Sequence, residues 1–275
     1  MREYRLGIYE KSMPGDWTLE QKLRCAKGAG FDYMELSVDE TDEKLARLDW
    51  SAAERAHVLK LTREVLPIDS ICLSAHRKYP LGSPDEPTRA RALAIMQGAI
   101  RLARDLGIRL IQLAGYDVYY EEGSERTRAL FIDGLHQCAE FAAAAGVLLG
   151  FETMETPFMD TAGKAMAFVR GVNSAYLGVY PDIGNLTNAA ILYGGDVLSD
   201  LDNTHGHLLA IHLKETLPGQ YREVPFGQGH VDFRAAIARA LGLGARMFVA
   251  ECWYDGSPEP RQTLAKANQF MRAFF

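Results

Sequence analysis

The chain has 275 residues, 48% of them hydrophobic, enough to bury a sizeable core in one large α/β domain or two small ones. A net charge of −6 and a pI near 5.7 argue against a nucleic-acid or anionic-membrane surface. No run of about 18 apolar residues marks a transmembrane helix, and the N-terminal stretch lacks a signal-peptide core. The four cysteines (Cys25, Cys72, Cys138, Cys252) are scattered, with no CxxC pair. They read as small buried hydrophobes of a cytoplasmic protein, not as a disulfide framework or a zinc knuckle.

Short apolar runs alternate with helical patterns along the whole length. The runs predict strands at Arg5–Tyr9, Tyr33–Leu36, Ser70–Ser74, Leu110–Ala114, Leu148–Glu152, Leu177–Tyr180, Leu208–Leu213 and Met247–Glu251. Between them, Thr88–Leu106 is the best amphipathic segment. Leu93, Met96, Ile100, Ala103 and Leu106 share one face, and Arg91, Arg101 and Arg104 lie off it. Gly30, Gly107 and Gly146 each stand just before a strand, where a left-handed helix end is expected. Eight such alternations predict an α/β fold of the (β/α)8 TIM-barrel type, a single barrel domain over 1–275. A doubly wound sheet is the alternative. The turn after the first strand, Tyr9-Glu-Lys-Ser-Met-Pro-Gly15, has no GxGxxG to support it.

The second half carries the chemistry. Glu152, Asp182, His212 and Glu251 each follow or close an apolar run, on strands five to eight. A lone glutamate or histidine at such a place is most often a satisfied structural residue. Polar residues at the matching end of four consecutive strands are another matter. In a parallel barrel they converge on the catalytic face. Three carboxylates crowded there are tolerable mainly around a cation. Oxygen ligands with one imidazole predict one divalent cation per subunit: Mn²⁺, Co²⁺, Mg²⁺ or Zn²⁺.

Several segments are similar to a known family. Gly150-Phe-Glu-Thr-Met-Glu155, Tyr180-Pro-Asp-Ile-Gly-Asn185, Ile211-His-Leu-Lys-Glu-Thr216, Pro225-Phe-Gly-Gln-Gly229 and Ala250-Glu251 resemble the xylose-isomerase-like barrels. Leu6-Gly-Ile-Tyr-Glu-Lys11 and Leu73–Ser83 narrow the resemblance to the L-ribulose-5-phosphate 3-epimerases, also called L-xylulose-5-phosphate 3-epimerases. The resemblance implies metal ligands at Glu152, Asp182, His212 and Glu251, with Glu152 and Glu251 as the acid/base pair. It implies inversion of carbon 3 of a ketopentose 5-phosphate through a cis-enediolate. It also implies substrate contacts from Asn185 and Arg222, and a homodimer or larger homo-oligomer. One departure stands out. Many relatives carry His-x-His-x-Lys on strand seven, and here the first position is Ala210. Apolar Phe248, Val249 and Trp253 beside Glu251 are expected to raise its pKa, and coordination to lower it.

Further candidates come from position. Glu155, three residues past Glu152, is placed to hold a substrate hydroxyl or another ligand. Glu35, read as the end of strand two, is an acid for hydroxyls or for orienting a cation. Lys11, His76, Arg77, Lys78 and Lys214 are the candidates for the phosphate of a small-molecule sugar phosphate. His76 and Arg77 have the better geometry, directly after strand three. Trp17, Tyr79, Tyr116, Tyr119, Tyr120 and Trp253 are available for stacking on a sugar. Competing readings are an aldose–ketose isomerase or a free-ketose epimerase on the same site, a phosphodiesterase of the barrel-endonuclease type, and an inactive sugar-binding barrel. Seven histidines and no basic face make the phosphodiesterase poor. No nucleic-acid or membrane partner is expected.

Overall fold

The structure, a computed structural model, describes residues 3–275; Met1 and Arg2, at the head of the N-terminal stretch, lie outside the described residues. Eight parallel strands alternate with helices. The strands are β1 (Arg5–Tyr9), β2 (Tyr33–Val38), β3 (Ile68–Leu73), β4 (Leu110–Ala114), β5 (Leu148–Glu152), β6 (Leu177–Val179), β7 (Ile211–Leu213) and β8 (Met247–Ala250). Outside them run α1 (Leu19–Gly28), α2 (Asp42–Leu45), α3 (Ala52–Glu64), α4 (Glu86–Leu106), α5 (Glu125–Ala145), α6 (Ala162–Val172), α7 (Ile183–Tyr193), α8 (Val197–Asp202), α9 (Phe233–Gly242) and α10 (Pro260–Arg272). No helix among the described residues is long and apolar enough to cross a membrane.

The sheet runs in the order β6-β5-β4-β3-β2-β1-β8-β7, and parallel bridges from Val179 to Leu208 and from Asp182 to His212 join its two ends. This closes the barrel. The closure is tight. A Cβ at Gly178 would come within 2.5 Å of the His207 carbonyl oxygen, so only glycine lets the two strands approach. Side chains alternate between two apolar compartments. Tyr33, Cys72, Leu110, Tyr180, Ala210 and Val249 fill the barrel interior. Leu6, Ile8, Leu36, Ile71, Phe151 and Phe248 point outward into the larger layer beneath the helices. Burial on both faces explains why the strands read as continuous apolar runs.

Local signals act where the sequence places them. Thr18 and Ser51 form capping boxes with Gln21 and Glu54 at the starts of α1 and α3. Gly107 and Gly146 end α4 and α5 in the left-handed conformation, at φ 75° and 67°. Strand bounds differ most at the barrel seam. Leu208–Ala210 does not extend β7, because its link to β6 is reduced to the Val179 bridge. β2 continues to Val38, so Glu35 is a mid-strand residue facing the barrel interior and not a strand end.

One buried charge cluster locks the first strands to their helices. Glu10, fully buried at the end of β1, accepts hydrogen bonds from Lys22 Nζ (3.0 Å), Lys44 Nζ (3.1 Å) and Arg47 Nη2 (2.7 Å). Burial acts to raise the Glu10 pKa, but the adjacent Arg47, Lys22 and Lys44 outweigh it and hold the group well below the usual range. Because the folded-state pKa is depressed, the stabilisation is present above the unfolded value of about 4.3 and is lost as pH falls toward the folded one. Glu10→Gln strands three buried cations. It is expected to cost about 3–5 kcal/mol at pH 7, read from urea unfolding, with the difference from wild type shrinking in acid.

Candidate metal centre

The barrel mouth gathers three carboxylates and one imidazole, each from a different element. Glu152 closes β5. Asp182 caps α7, its Oδ1 accepting from the Asn185 backbone N–H at 2.7 Å. His212 is the middle residue of β7, and Glu251 follows β8 directly. All four are buried, and one ligand atom from each lies within 4.8 Å of the others. Three of them sit where strand-end reasoning expects. His212 is one residue deeper, paired across the seam to Asp182.

The imidazole is held between acids on both sides. His212 Nδ1 lies 3.1 Å from Glu152 Oε1 and 3.1 Å from Glu251 Oε2. On the other side Nε2–H donates to Glu35 Oε1 at 2.7 Å. The second Glu35 oxygen accepts from Ser70 Oγ (2.7 Å) and Tyr180 OH (2.9 Å), so this carboxylate is fixed from two directions. A carboxylate on the far nitrogen sets the ring's orientation and leaves Nδ1 to face a cation. Burial opposes protonation of the ring, yet Glu35, Glu251 and Glu152 drive its pKa well above the ordinary value.

Two further residues complete the centre. Gln112, in the middle of β4, donates its side-chain amide to Glu152 Oε2. Lys214 Nζ lies 3.3 Å from Asp182 Oδ2 and 3.9 Å from Glu251 Oε2. Burial, reinforced by Glu251, raises the pKa of Glu152. Burial also raises Asp182, more than Lys214 lowers it. Glu251 goes the other way. Burial works to raise it, but Lys214 and His212 outweigh that and hold it low. The expected upward push from apolar neighbours therefore loses to the two cations.

The donor set fits a divalent cation. Four buried carboxylates (Glu35, Glu152, Asp182, Glu251) face one ammonium and one imidazole. With all four ionised, even a protonated ring leaves the group short of two positive charges, and the upward shifts of Glu152 and Asp182 answer that buried crowding. Asp182 Oδ2 and Glu251 Oε2 are buried without a hydrogen-bond partner. Buried carboxylate oxygens rarely stay so. Lys214 is near enough to both for charge attraction but poorly placed for a hydrogen bond.

The remaining candidates divide. The centre opens into a small cavity of about 40 Å³ whose lining includes Lys11, Arg77, Glu155, Lys214 and Arg222. A larger cavity of about 830 Å³ adjoins it through Lys214, Glu251 and Trp253 and runs out beneath Phe226 and Phe270. Glu155 is engaged by Tyr116 OH (2.9 Å), Tyr119 OH (3.2 Å) and Arg222 Nη2 (3.0 Å). It braces the mouth instead of offering a free acceptor. Arg222 in turn lies over the Trp253 ring at 5.8 Å. Asn185 turns away from the cavity and donates to the Thr153 carbonyl at 2.7 Å. His76 is the clearest correction. It is buried beneath α4, with Nε2 3.2 Å from the Ala92 carbonyl oxygen, and burial lowers its pKa to about 4. A neutral ring facing the helix layer offers no cation to phosphate. Lys78 is exposed over Tyr79. Tyr120 is exposed and bonded to Glu40. Gln112 is a site residue that the sequence marks only as a lone polar residue inside the apolar run Leu110–Ala114.

A divalent ion bound here replaces the Nδ1 proton, so binding is expected to release protons and raise the unfolding midpoint. Glu35→Gln should weaken affinity for Mn²⁺ by about 10–100-fold in isothermal titration calorimetry. Unchanged affinity would remove Glu35 from the centre.

The model of the xylose isomerase-like TIM barrel family matches residues 23–274. Over 274 residues the chain is 43% identical to the L-ribulose-5-phosphate 3-epimerase UlaE of Escherichia coli (strain SE11), covering 99% of this chain and 95% of that protein. It is 42% identical, with the same coverage, to the protein of that name from Salmonella paratyphi C (strain RKS4594). Among solved structures, the D-psicose 3-epimerase of Clostridium cellulolyticum H10 with D-tagatose superposes with a TM-score of 0.81 at 15% identity, covering 98% of this chain and 99% of that one. At that identity the likeness speaks for the fold alone.

Proposed function

The chain belongs to the L-ribulose-5-phosphate 3-epimerase family of xylose isomerase-like TIM barrels, and we propose that it interconverts L-ribulose 5-phosphate and L-xylulose 5-phosphate by inverting carbon 3. It is an isomerase of the epimerase kind. The observation that carries the reading is the pair Glu152 and Glu251, at the ends of β5 and β8, facing one buried spot with Asp182 and His212.

Inversion beside a ketone needs the carbon 3 proton removed on one face and a proton returned on the other. The two glutamates are pushed apart by their surroundings: Glu152 toward holding a proton, Glu251 toward the carboxylate. That is the arrangement an acid/base pair requires. Glu251 then accepts the carbon 3 proton, Glu152 delivers one to the opposite face of the enediolate, and the roles exchange for the reverse reaction. Gln112 holds the Glu152 carboxyl in place, and Lys214 balances Asp182 and Glu251. Asp182 and His212, with the two glutamates, would hold one divalent cation, Mn²⁺, Co²⁺, Mg²⁺ or Zn²⁺. When bound, that ion supplies Lewis-acid polarisation of the ketose.

The remaining assignments extend this reading. A sugar phosphate does not cross membranes unaided, which fits a cytoplasmic enzyme, as do the four free thiols. Assembly as a homodimer or larger homo-oligomer is supported by the apolar end of α7, where Ile191, Leu192 and Tyr193 are 57%, 62% and 50% exposed.

Glu152→Gln and Glu251→Gln keep shape and remove the proton acceptor. Each is expected to lower the rate of ketose 5-phosphate interconversion by about 10²–10⁴-fold, with the thermal unfolding midpoint little changed. Wild-type activity in either folded variant contradicts the assignment.

A further inference from the structure

The two glutamates of the centre are held in different ways. Glu152 belongs to β5 and is paired in the ladder to Ala114 of β4. Glu251 lies one residue past β8, whose last rung to β1 joins Ala250 to Ile8. Its backbone N–H still donates to the Leu213 carbonyl at 2.9 Å, but the ladder to β1 has already ended. The next three residues, Cys252, Trp253 and Tyr254, belong to no strand or helix. Without other ties such a segment would let the Glu251 carboxylate wander, and proton transfer tolerates little of that.

The turn after β1 supplies the ties. Tyr9 meets the Trp253 ring edge-to-face at 6.4 Å. The Lys11 carbonyl accepts from the Tyr254 N–H at 2.8 Å. Ser12 Oγ donates to the Cys252 carbonyl at 2.8 Å and accepts from the Cys252 thiol at 3.3 Å. Among the described residues no backbone N–H takes that carbonyl, so the Ser12 hydroxyl is what satisfies it. Serine hydroxyls commonly bond within their own turn, whereas this one, 4% exposed, reaches across 240 residues of chain. The turn itself is rooted by Glu10. Besides Lys22, Lys44 and Arg47, Glu10 takes the Ser37 backbone N–H of β2 at 2.9 Å. The residue two places before Ser12 is thus fixed to α1, α2 and β2 at once.

We propose that Ser12 is a positioning residue for Glu251: rooted through Glu10, its hydroxyl holds the Cys252 carbonyl and so fixes the peptide that carries the Glu251 carboxylate. The buried charge cluster on the first strands then serves the centre as well as the fold, because it steadies the far side of the mouth from Glu152. That Glu251 moves a proton rests on the epimerase reading above; the clamp on its peptide does not.

Two measurements separate the two claims, made on the full-length protein and on Ser12→Ala, Ser12→Thr and Cys252→Ala. Amide hydrogen exchange over 251–255 reads the clamp directly, and it is expected to be at least about fivefold faster in Ser12→Ala, with the other strands unchanged. Kinetics on L-ribulose 5-phosphate read the consequence: Ser12→Ala is expected to lower kcat by about 5–20-fold with KM within about twofold of wild type. Ser12→Thr keeps the hydroxyl, beside the larger cavity that Ser12 lines, and is expected to recover most of both losses. Cys252→Ala keeps the carbonyl that Ser12 holds and is expected to lose less than Ser12→Ala. Wild-type exchange or wild-type kcat in folded Ser12→Ala overturns the clamp. So do equal losses in Ser12→Ala and Ser12→Thr, which would mark packing and not the hydroxyl, and so does a larger loss in Cys252→Ala, which would mark the thiol. If the wild type does not epimerise the ketose, the epimerase reading fails and hydrogen exchange alone decides the clamp.

Discussion

Burying Glu35, Glu152, Asp182 and Glu251 in one barrel mouth is costly unless positive charge is buried with them. The protein supplies Lys214 and His212, which leaves the group two positive charges short whenever all four are ionised. The rest of the centre follows from that shortfall. The imidazole is pinned by Glu35 so that its other nitrogen faces the deficit. Two carboxylate oxygens are left without a hydrogen-bond partner. A divalent cation has the charge and the donor preference to satisfy all of them at once.

The fold turns this charge problem into usable geometry. Closure of β6 onto β7 through Gly178 brings Asp182 beside His212. The neighbouring strands, β5 beside β6 and β8 beside β7, then place Glu152 and Glu251 on either side. The field of Lys214 and His212 falls more heavily on Glu251 than on Glu152, so two chemically identical groups differ in protonation. Around them, Glu155 ties the loops after β4 and β7 together through Tyr116, Tyr119 and Arg222. The mouth is braced by ion pairs, and Arg77 lies over the same two tyrosine rings.

The barrel was legible because strands buried on both faces and left-handed glycine helix ends leave plain marks, as at Gly107 and Gly146. The four convergent residues were legible because each is a lone polar group at or near the end of an apolar run. What sequence position does not carry is the direction a side chain takes. His76 and Arg77 are adjacent after β3, yet one turns under α4 and the other into the cavity. Asn185 caps backbone where a substrate contact was expected. Nor does sequence reveal partners at a distance. Glu35 meets His212 across 177 residues of chain, and nothing near either residue marks the pairing.

The most direct test is proton NMR of L-ribulose 5-phosphate incubated with Mn²⁺-loaded protein in D₂O. Deuterium at carbon 3, accompanied by L-xylulose 5-phosphate, is the predicted result. Deuterium at carbon 1 with an aldose product, or no exchange at all, would contradict it.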